Sequence, residues 1–164
     1  MIWQPMKPHD LSDVSRVADR VHPNYPEDEA VFAERLTLYP AGCLTLQNGE
    51  RTIGYVISHP WHFKRPPELN ALLNAIPASA STYYIHDIAL LPEARASGAA
   101  STSVSTLVAH AKDRDMPNMS LVAVNNSVGF WERHDFRVLT DNELDEKLKS
   151  YGHDAKFMVR EMHT

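Results

Sequence analysis

Apolar positions along this chain follow two periods, and the changes from one to the other mark its elements. Leu11, Val14, Val17, Ala18 and Val21 fall three and four apart, one face of a helix that follows His9-Asp10. Ala30, Phe32, Ala33 and Leu36 repeat that spacing within a second helix, Glu27 to Tyr39, stopped by Pro40. Pro23 and Pro26 separate the two. Ile2 to Met6 reads as a first strand, which Pro5 suits to an edge. Gly42 to Gln47 and Thr52 to Ser58 read as strands joined at Asn48-Gly49, a dipeptide that tolerates the positive φ of a tight hairpin. Glu68 to Ala75 predicts a short helix closed by Pro77, in a stretch directly before the central strand. Tyr83 to Leu91 is an apolar strand interrupted at His86-Asp87. Val104, Leu107, Val108 and Ala111 mark the next helix, and Met119 to Val124 is a continuous apolar run, as in a strand covered on both faces. Asn126 to His134 then predicts a short helix and Phe136 to Leu139 a strand. Asp141 to Ser150 predicts a helix capped by Thr140 or Asp141 and ended near Gly152, and Lys156 to Met162 a last strand. The order predicts an α+β fold, a mixed and mostly antiparallel central sheet flanked by helices. The strand–helix–strand unit from Tyr83 to Val124 should be a right-handed parallel crossover.

Composition narrows the function classes. At 164 residues, the chain is expected to be one domain spanning 1–164. A net charge of -5 disfavours a nucleic-acid surface and permits a cationic substrate. A single cysteine, Cys43, excludes an intrachain disulfide and reads as a small buried hydrophobe. No apolar run approaches membrane-spanning length, and the first ten residues lack a signal-peptide core. A cytoplasmic location and no membrane partner are therefore expected.

The central strand leads through Pro92 into Arg95-Ala96-Ser97-Gly98-Ala99-Ala100 and then a helix. Small side chains let a backbone approach an anion, and the first amides of a helix have no partner within it. No Gly-Lys-Ser/Thr follows, so this is not a P-loop, and a lone Gly98 does not make a dinucleotide fingerprint. The run resembles motif A of the GCN5-related N-acetyltransferase (GNAT) superfamily, Arg/Gln-x-x-Gly-x-Gly/Ala, through Arg95, Gly98 and Ala100. The stretch Asn125-Asn126-Ser127-Val128-Gly129-Phe130-Trp131-Glu132-Arg133-His134-Asp135-Phe136 resembles motif B. The predicted element order is also that of the superfamily, with one extra helix before the last strand.

The resemblance implies acetyl-CoA as donor substrate, with no metal, and direct attack on its thioester by an amine of a small molecule or peptide. Ile88, Ala89 and Leu90 would supply backbone groups to pantetheine, and the amides of Ala96, Ser97, Gly98, Ala99 and Ala100, beside Arg95, would hold the pyrophosphate. Asn125, Ser127 and Trp131 would line the donor near pantetheine. Such a reaction needs a base for the amine, a stabilised oxyanion and a fate for the thiolate. His86 and Asp87 are the catalytic candidates, because ionisable groups in an apolar strand are costly unless used. By the resemblance they stand where polyamine acetyltransferases carry Glu-Asp. Successive strand residues face opposite ways, so the two should share one pocket only if a bulge intervenes.

Three positions depart from the superfamily pattern. Trp131 stands where the superfamily often has a tyrosine that protonates the thiolate, and indole N–H cannot do so; either Tyr84 or a water serves instead, or the thiolate simply leaves. Asp135 and Ala96 each replace a glycine. A non-catalytic acyl-CoA-binding module with a regulatory role is therefore the alternative, and Trp131 reads more simply as core packing. Tyr25, Glu27 and Asp28 lie where an acceptor amine would pass, although a capped helix start accounts for them more simply. His59 and Trp61 are candidate acceptor-pocket residues. His59, His62 and His86 lack any metal-ligand spacing, and Ser97, Ser101 and Ser103 lack a nucleophile elbow. A homodimer is left open.

Overall fold

The computed structural model describes residues 1–162. Its hairpin forms where Asn48-Gly49 requires it: Gly49 takes φ +66° and joins β2 (Cys43–Asn48) to β3 (Arg51–Trp61). Strand β1 (Ile2–Pro5) pairs antiparallel with β2 at the sheet edge. On its other side β3 pairs antiparallel with β4 (Thr82–Leu90). Pro60 is tolerated inside β3 because β2 pairing ends at Ile57, leaving no neighbour on that side to receive the missing N–H. Helix α3 (Ala99–Asp113) carries the chain from β4 to β5 (Asn118–Ala123), which lies parallel to β4. β7 (Lys156–Glu161) pairs with β5, and β6 (Arg137–Val138) with β7, both antiparallel. The seven-stranded order is β1-β2-β3-β4-β5-β7-β6, with β4–β5 as its parallel pair. This is the mixed, mostly antiparallel α+β sheet that the periodicity predicts.

The helices cover both faces. α1 (Leu11–Val21) and α2 (Glu29–Leu38) bury Val14, Val17, Phe32 and Leu36 against Leu46, Ile53, Tyr55 and Ile57. On the opposite face α3 buries Val104, Leu107 and Ala111 against Val56, Tyr83, Met119 and Leu121. The short α4 (Val128–Glu132) adds Trp131 there, 7% exposed and edge-on to Phe136. α5 (Asn142–Lys147) is capped by Asp141, whose carboxylate accepts from the Glu143 amide, and with Leu144 it covers Phe157 and Val159. Among the described residues no helix is long and apolar enough to cross a membrane.

One predicted element is absent. Glu68 to Ala75 forms no helix, because its amides are taken by side chains of other elements. The Asn70 amide donates to Glu27, those of Leu73 and Asn74 to Glu34, and that of Leu69 to Ser150 Oγ. Asn70 and Asn74 turn to φ +62° and +70°, values no α-helix contains. Buried Arg35 fixes the same segment by donating to the Ala71 carbonyl at 2.9 Å.

Candidate active site

β4 and β5 part company in mid-sheet. They pair at Tyr83–Met119, Tyr84–Ser120 and Ile85–Leu121, and beyond Ile85 the β5 side of β4 has no strand partner. The backbone of Ile88, Ala89 and Leu90, expected to serve pantetheine, borders that gap. A cleft of about 440 Å³ opens there, lined on one side by Ile88, Leu90, Arg95 and Ala100 and on the other by Val124, Asn125, Ser127 and Trp131.

The loop at the cleft's outer end leaves backbone amides free at a helix start. Gly98 is the N-cap of α3 at φ +82°, a conformation that disfavours any side chain. The Ser97 amide donates to the Ala94 carbonyl and the Ala99 amide to Ser97 Oγ, so these two amides of the predicted cradle are engaged within the protein. Those of Ala96, Gly98, Ala100 and Ser101 have no protein acceptor among the described residues. Arg95 donates from Nε toward the Leu90 carbonyl at 3.4 Å, and its exposed Nη groups make no hydrogen bond among the described residues. Four free amides, a helix N-terminus and a guanidinium thus converge on one side of the cleft.

The cleft's inner end depends on a bulge. Ile57 pairs with Asp87, yet Ser58 pairs with Ile85, so His86 is an extra residue in β4. The bulge undoes the alternation of the strand, and both His86 and Asp87 reach the cleft. Each is held by a partner from the α1–α2 region. His86 Nε2 lies 2.8 Å from Glu27 Oε1, with side chains 2% and 6% exposed. Asp87 Oδ1 lies 2.8 Å from His22 Nε2, and Tyr55 donates its hydroxyl to Asp87 Oδ2. His22 Nδ1 meets the carboxamide of Asn125 at 2.7 Å.

These contacts set the charges. Burial pushes the Glu27 carboxyl up, but His86 and the Asn70 amide outweigh it and hold Glu27 below the usual range. Burial acts the same way on Asp87, and the His22 and His86 rings together with Tyr55 reverse it. For His22, burial disfavours the imidazolium, while the Asp87 charge and hydrogen bond, with help from Glu27, more than restore it; the net shift is upward.

The sequence-predicted residues divide cleanly. Arg95, Ala100, Asn125, Ser127, Trp131, His86, Asp87, Ile88 and Leu90 all line the cleft; Ala89 is buried beside it. Ser127 Oγ donates to the Val124 carbonyl and so fixes the turn into α4. Tyr25 and Glu27 line the cleft, whereas Asp28 binds Asn70 and precedes α2. Tyr84, considered as a proton donor, is 1% exposed and does not line the cleft. His59 and Trp61 do not line it either: buried His59 lies edge-on to Trp61 and tilted against Tyr84. His22 went unnoticed, being an isolated histidine at the end of a helix. Among the described residues no cluster of His, Cys, Asp or Glu has the grouping of a metal site.

Buried His59 makes a separate prediction. Burial lowers its pKa to about 3. The unfolded ring takes a proton below about pH 6.5, so between those values the unfolded chain binds one more proton and stability falls with pH. Denaturant unfolding is expected to show a loss of about 2 kcal/mol between about pH 6.5 and 5. A His59→Phe variant should lack that slope.

The sequence profile of the Acetyltransferase (GNAT) family matches residues 9–136, which include the cleft loop, the bulged strand and α4. The chain belongs to the GNAT family. Among curated proteins none matches it closely enough to count as a relative. Solved structures share the fold of this GNAT chain at low identity. The GNAT-like decarboxylase GphF in complex with isobutyryl-CoA is 14% identical, with a TM-score of 0.79, the match covering 99% of this chain and 100% of that one. Ard1 from Thermoplasma volcanium gives 12% and 0.73, over 99% and 98%. The ribosomal-protein-S18-alanine N-acetyltransferase from Escherichia coli gives 14% and 0.68, over 99% and 94%. At these identities the likeness concerns the fold.

Proposed function

We propose that this protein is an acetyl-CoA-dependent N-acetyltransferase that moves an acetyl group directly to a primary amine of a small molecule or peptide. The observation that carries this reading is one continuous cleft with an anion seat at one end and two buried histidine–carboxylate pairs at the other. The free amides of Ala96, Gly98, Ala100 and Ser101, with Arg95, take the pyrophosphate. Pantetheine follows the gap between β4 and β5, where backbone groups of Ile88 to Leu90 that face away from β3 hydrogen-bond it and polarise the thioester carbonyl.

The acceptor enters beside Tyr25, Glu27, Leu69 and Tyr151. Its nitrogen must lose a proton, and His86 is the base. Glu27 holds Nε2 and stabilises the imidazolium that forms. Nδ1 is buried without a hydrogen-bond partner among the described residues, so a bound amine, or a water beside it, satisfies a nitrogen that is otherwise costly to bury. Related folds include an enzyme whose name gives an alanine of a ribosomal protein as acceptor, the S18-alanine N-acetyltransferase, which supports including peptides. The test is CoA release from acetyl-CoA with a panel of small amines and amine-bearing peptides. Release that depends on a particular amine is the expected result; acetyl-CoA binding with no release across the panel would favour the binding-module alternative.

A further inference from the structure

We infer that the acceptor is a primary monoamine with an apolar body, and that amines carrying a second charge, a carboxylate above all, are poor substrates. The inference rests on the acetyl-transfer reading above and names the class of amine that the same cleft admits.

Four segments meet at the inner end of the cleft and give it apolar and aromatic walls. Tyr25 comes from the loop between α1 and α2, Leu69 from the irregular stretch before β4, Val122 from β5, and Tyr151 from the turn that follows α5. All four belong to one apolar cluster, which continues through Leu148 and Phe157. Backbone contacts fix Leu69 in this wall. Its amide donates to Ser150 Oγ at 3.3 Å, and Tyr151 donates its hydroxyl to the Pro67 carbonyl at 3.1 Å. That bond uses the hydroxyl proton of Tyr151, so the side chain offers the cleft no free donor.

The carboxylates at this end are already committed. Among the described residues that line the cleft they are Glu27 and Asp87. Glu27 meets His86 through Oε1 and the Asn70 amide through Oε2; Asp87 meets His22 through Oδ1 and Tyr55 through Oδ2. All four oxygens have a partner, and Nδ1 of His86 remains for the acceptor nitrogen. No free cation balances them. Arg95 lines the cleft at the donor end. Arg35, whose Nη1 serves Glu34 and the Ala71 carbonyl, is 1% exposed and does not line the cleft.

Three kinds of acceptor then fare differently. A carboxylate on the acceptor would lose its water and meet two like charges with no cation beside them. A second ammonium would lose its water and find no carboxylate oxygen without a partner. A single ammonium is drawn in by the same acidic groups, and reaction removes its charge. Its nitrogen forms the C–N bond, its proton goes to His86, and the C–S bond breaks with its electron pair on the departing CoA thiolate. The apolar body that remains covers Leu69 and Val122 and takes them out of water.

The test is CoA release from acetyl-CoA with butylamine, putrescine and γ-aminobutyrate, which match in chain length and differ in what the far end carries. kcat/KM for butylamine should exceed that for γ-aminobutyrate by about 100-fold or more and that for putrescine by about 10-fold or more, as expected for a charge desolvated without a partner. Leu69→Glu supplies a second carboxylate at a half-buried position of the wall. It should bring putrescine level with butylamine or ahead of it. Rates with γ-aminobutyrate or putrescine that equal those with butylamine in the parent would overturn the inference and leave the transferase reading standing. So would release with an amine-bearing peptide and with none of these three. An unchanged ratio of putrescine to butylamine in a folded Leu69→Glu protein would put the far end of the acceptor elsewhere and overturn it as well. Acetyl-CoA binding without release for any amine or peptide would remove both.

Discussion

Calorimetric titration of an Arg95→Glu, Gly98→Asp protein with acetyl-CoA is expected to show binding at least 100-fold weaker than that of the parent. Two effects add. A guanidinium–phosphate hydrogen bond between charged groups contributes about 1.5–3 kcal/mol, and reversing the charge replaces it with repulsion. An anion at a helix N-terminus gains about 0.3–1 kcal/mol, and an aspartate at the N-cap position of α3 occupies that place itself. Together they amount to about 3 kcal/mol, or a little over two orders of magnitude in Kd. The fold should survive. Arg95 and Gly98 are exposed, and a Cβ at Gly98 meets nothing within 4 Å. Only the positive φ of Gly98 opposes the substitution, at a cost of about 1 kcal/mol. Arg95→Glu alone, free of that strain, separates charge from backbone. Binding equal to that of the parent in the folded double variant would mean that the loop is only a turn, and the donor assignment would fall.

The same loop shows what local pattern can reveal. Arg95, Gly98 and Ala100 stand out because they lie close together at a strand–helix junction, where backbone geometry follows from residue type. The element order and the parallel crossover were legible for a similar reason: an apolar strand, a helix and a second apolar strand in succession leave few arrangements. The inner end of the cleft was not legible. The bulge at His86 is a property of how β4 registers on β3, and residues 86 and 57–58 carry no local sign of it. Glu27 looks like any acidic residue before a helix, yet its carboxylate spans the Asn70 amide and His86. The helix expected at Glu68 to Ala75 failed for the same reason: Glu27, Glu34 and Ser150 outbid local propensity for its amides. His22 had no periodic pattern at all and acquired its place only when α1 packed across the gap between β4 and β5. Trp131 was readable as core because aromatic packing needs no partner chemistry to be foreseen.

Removing the base should have the largest effect on turnover. His86→Ala is expected to lower kcat by about 10² to 10⁴-fold, the usual contribution of a positioned general base, while acetyl-CoA affinity stays close to that of the parent. The donor loop lies at the other end of the cleft, so the effect should appear in kcat. Coupling distinguishes a base from a packing residue. Glu27→Gln keeps an oxygen for His86 or for the Asn70 amide but loses the charge that stabilises the imidazolium, so it should cost less than His86→Ala. Because Glu27 acts on the reaction through the ring, the double variant should be hardly slower than His86→Ala alone, the non-additivity expected of groups working as a unit. If the two losses multiplied instead, Glu27 would have a separate task, such as holding the acceptor amine or the Asn70 segment. Full turnover in His86→Ala at every pH would rule the histidine out as base and shift the proton to the Asp87–His22 pair.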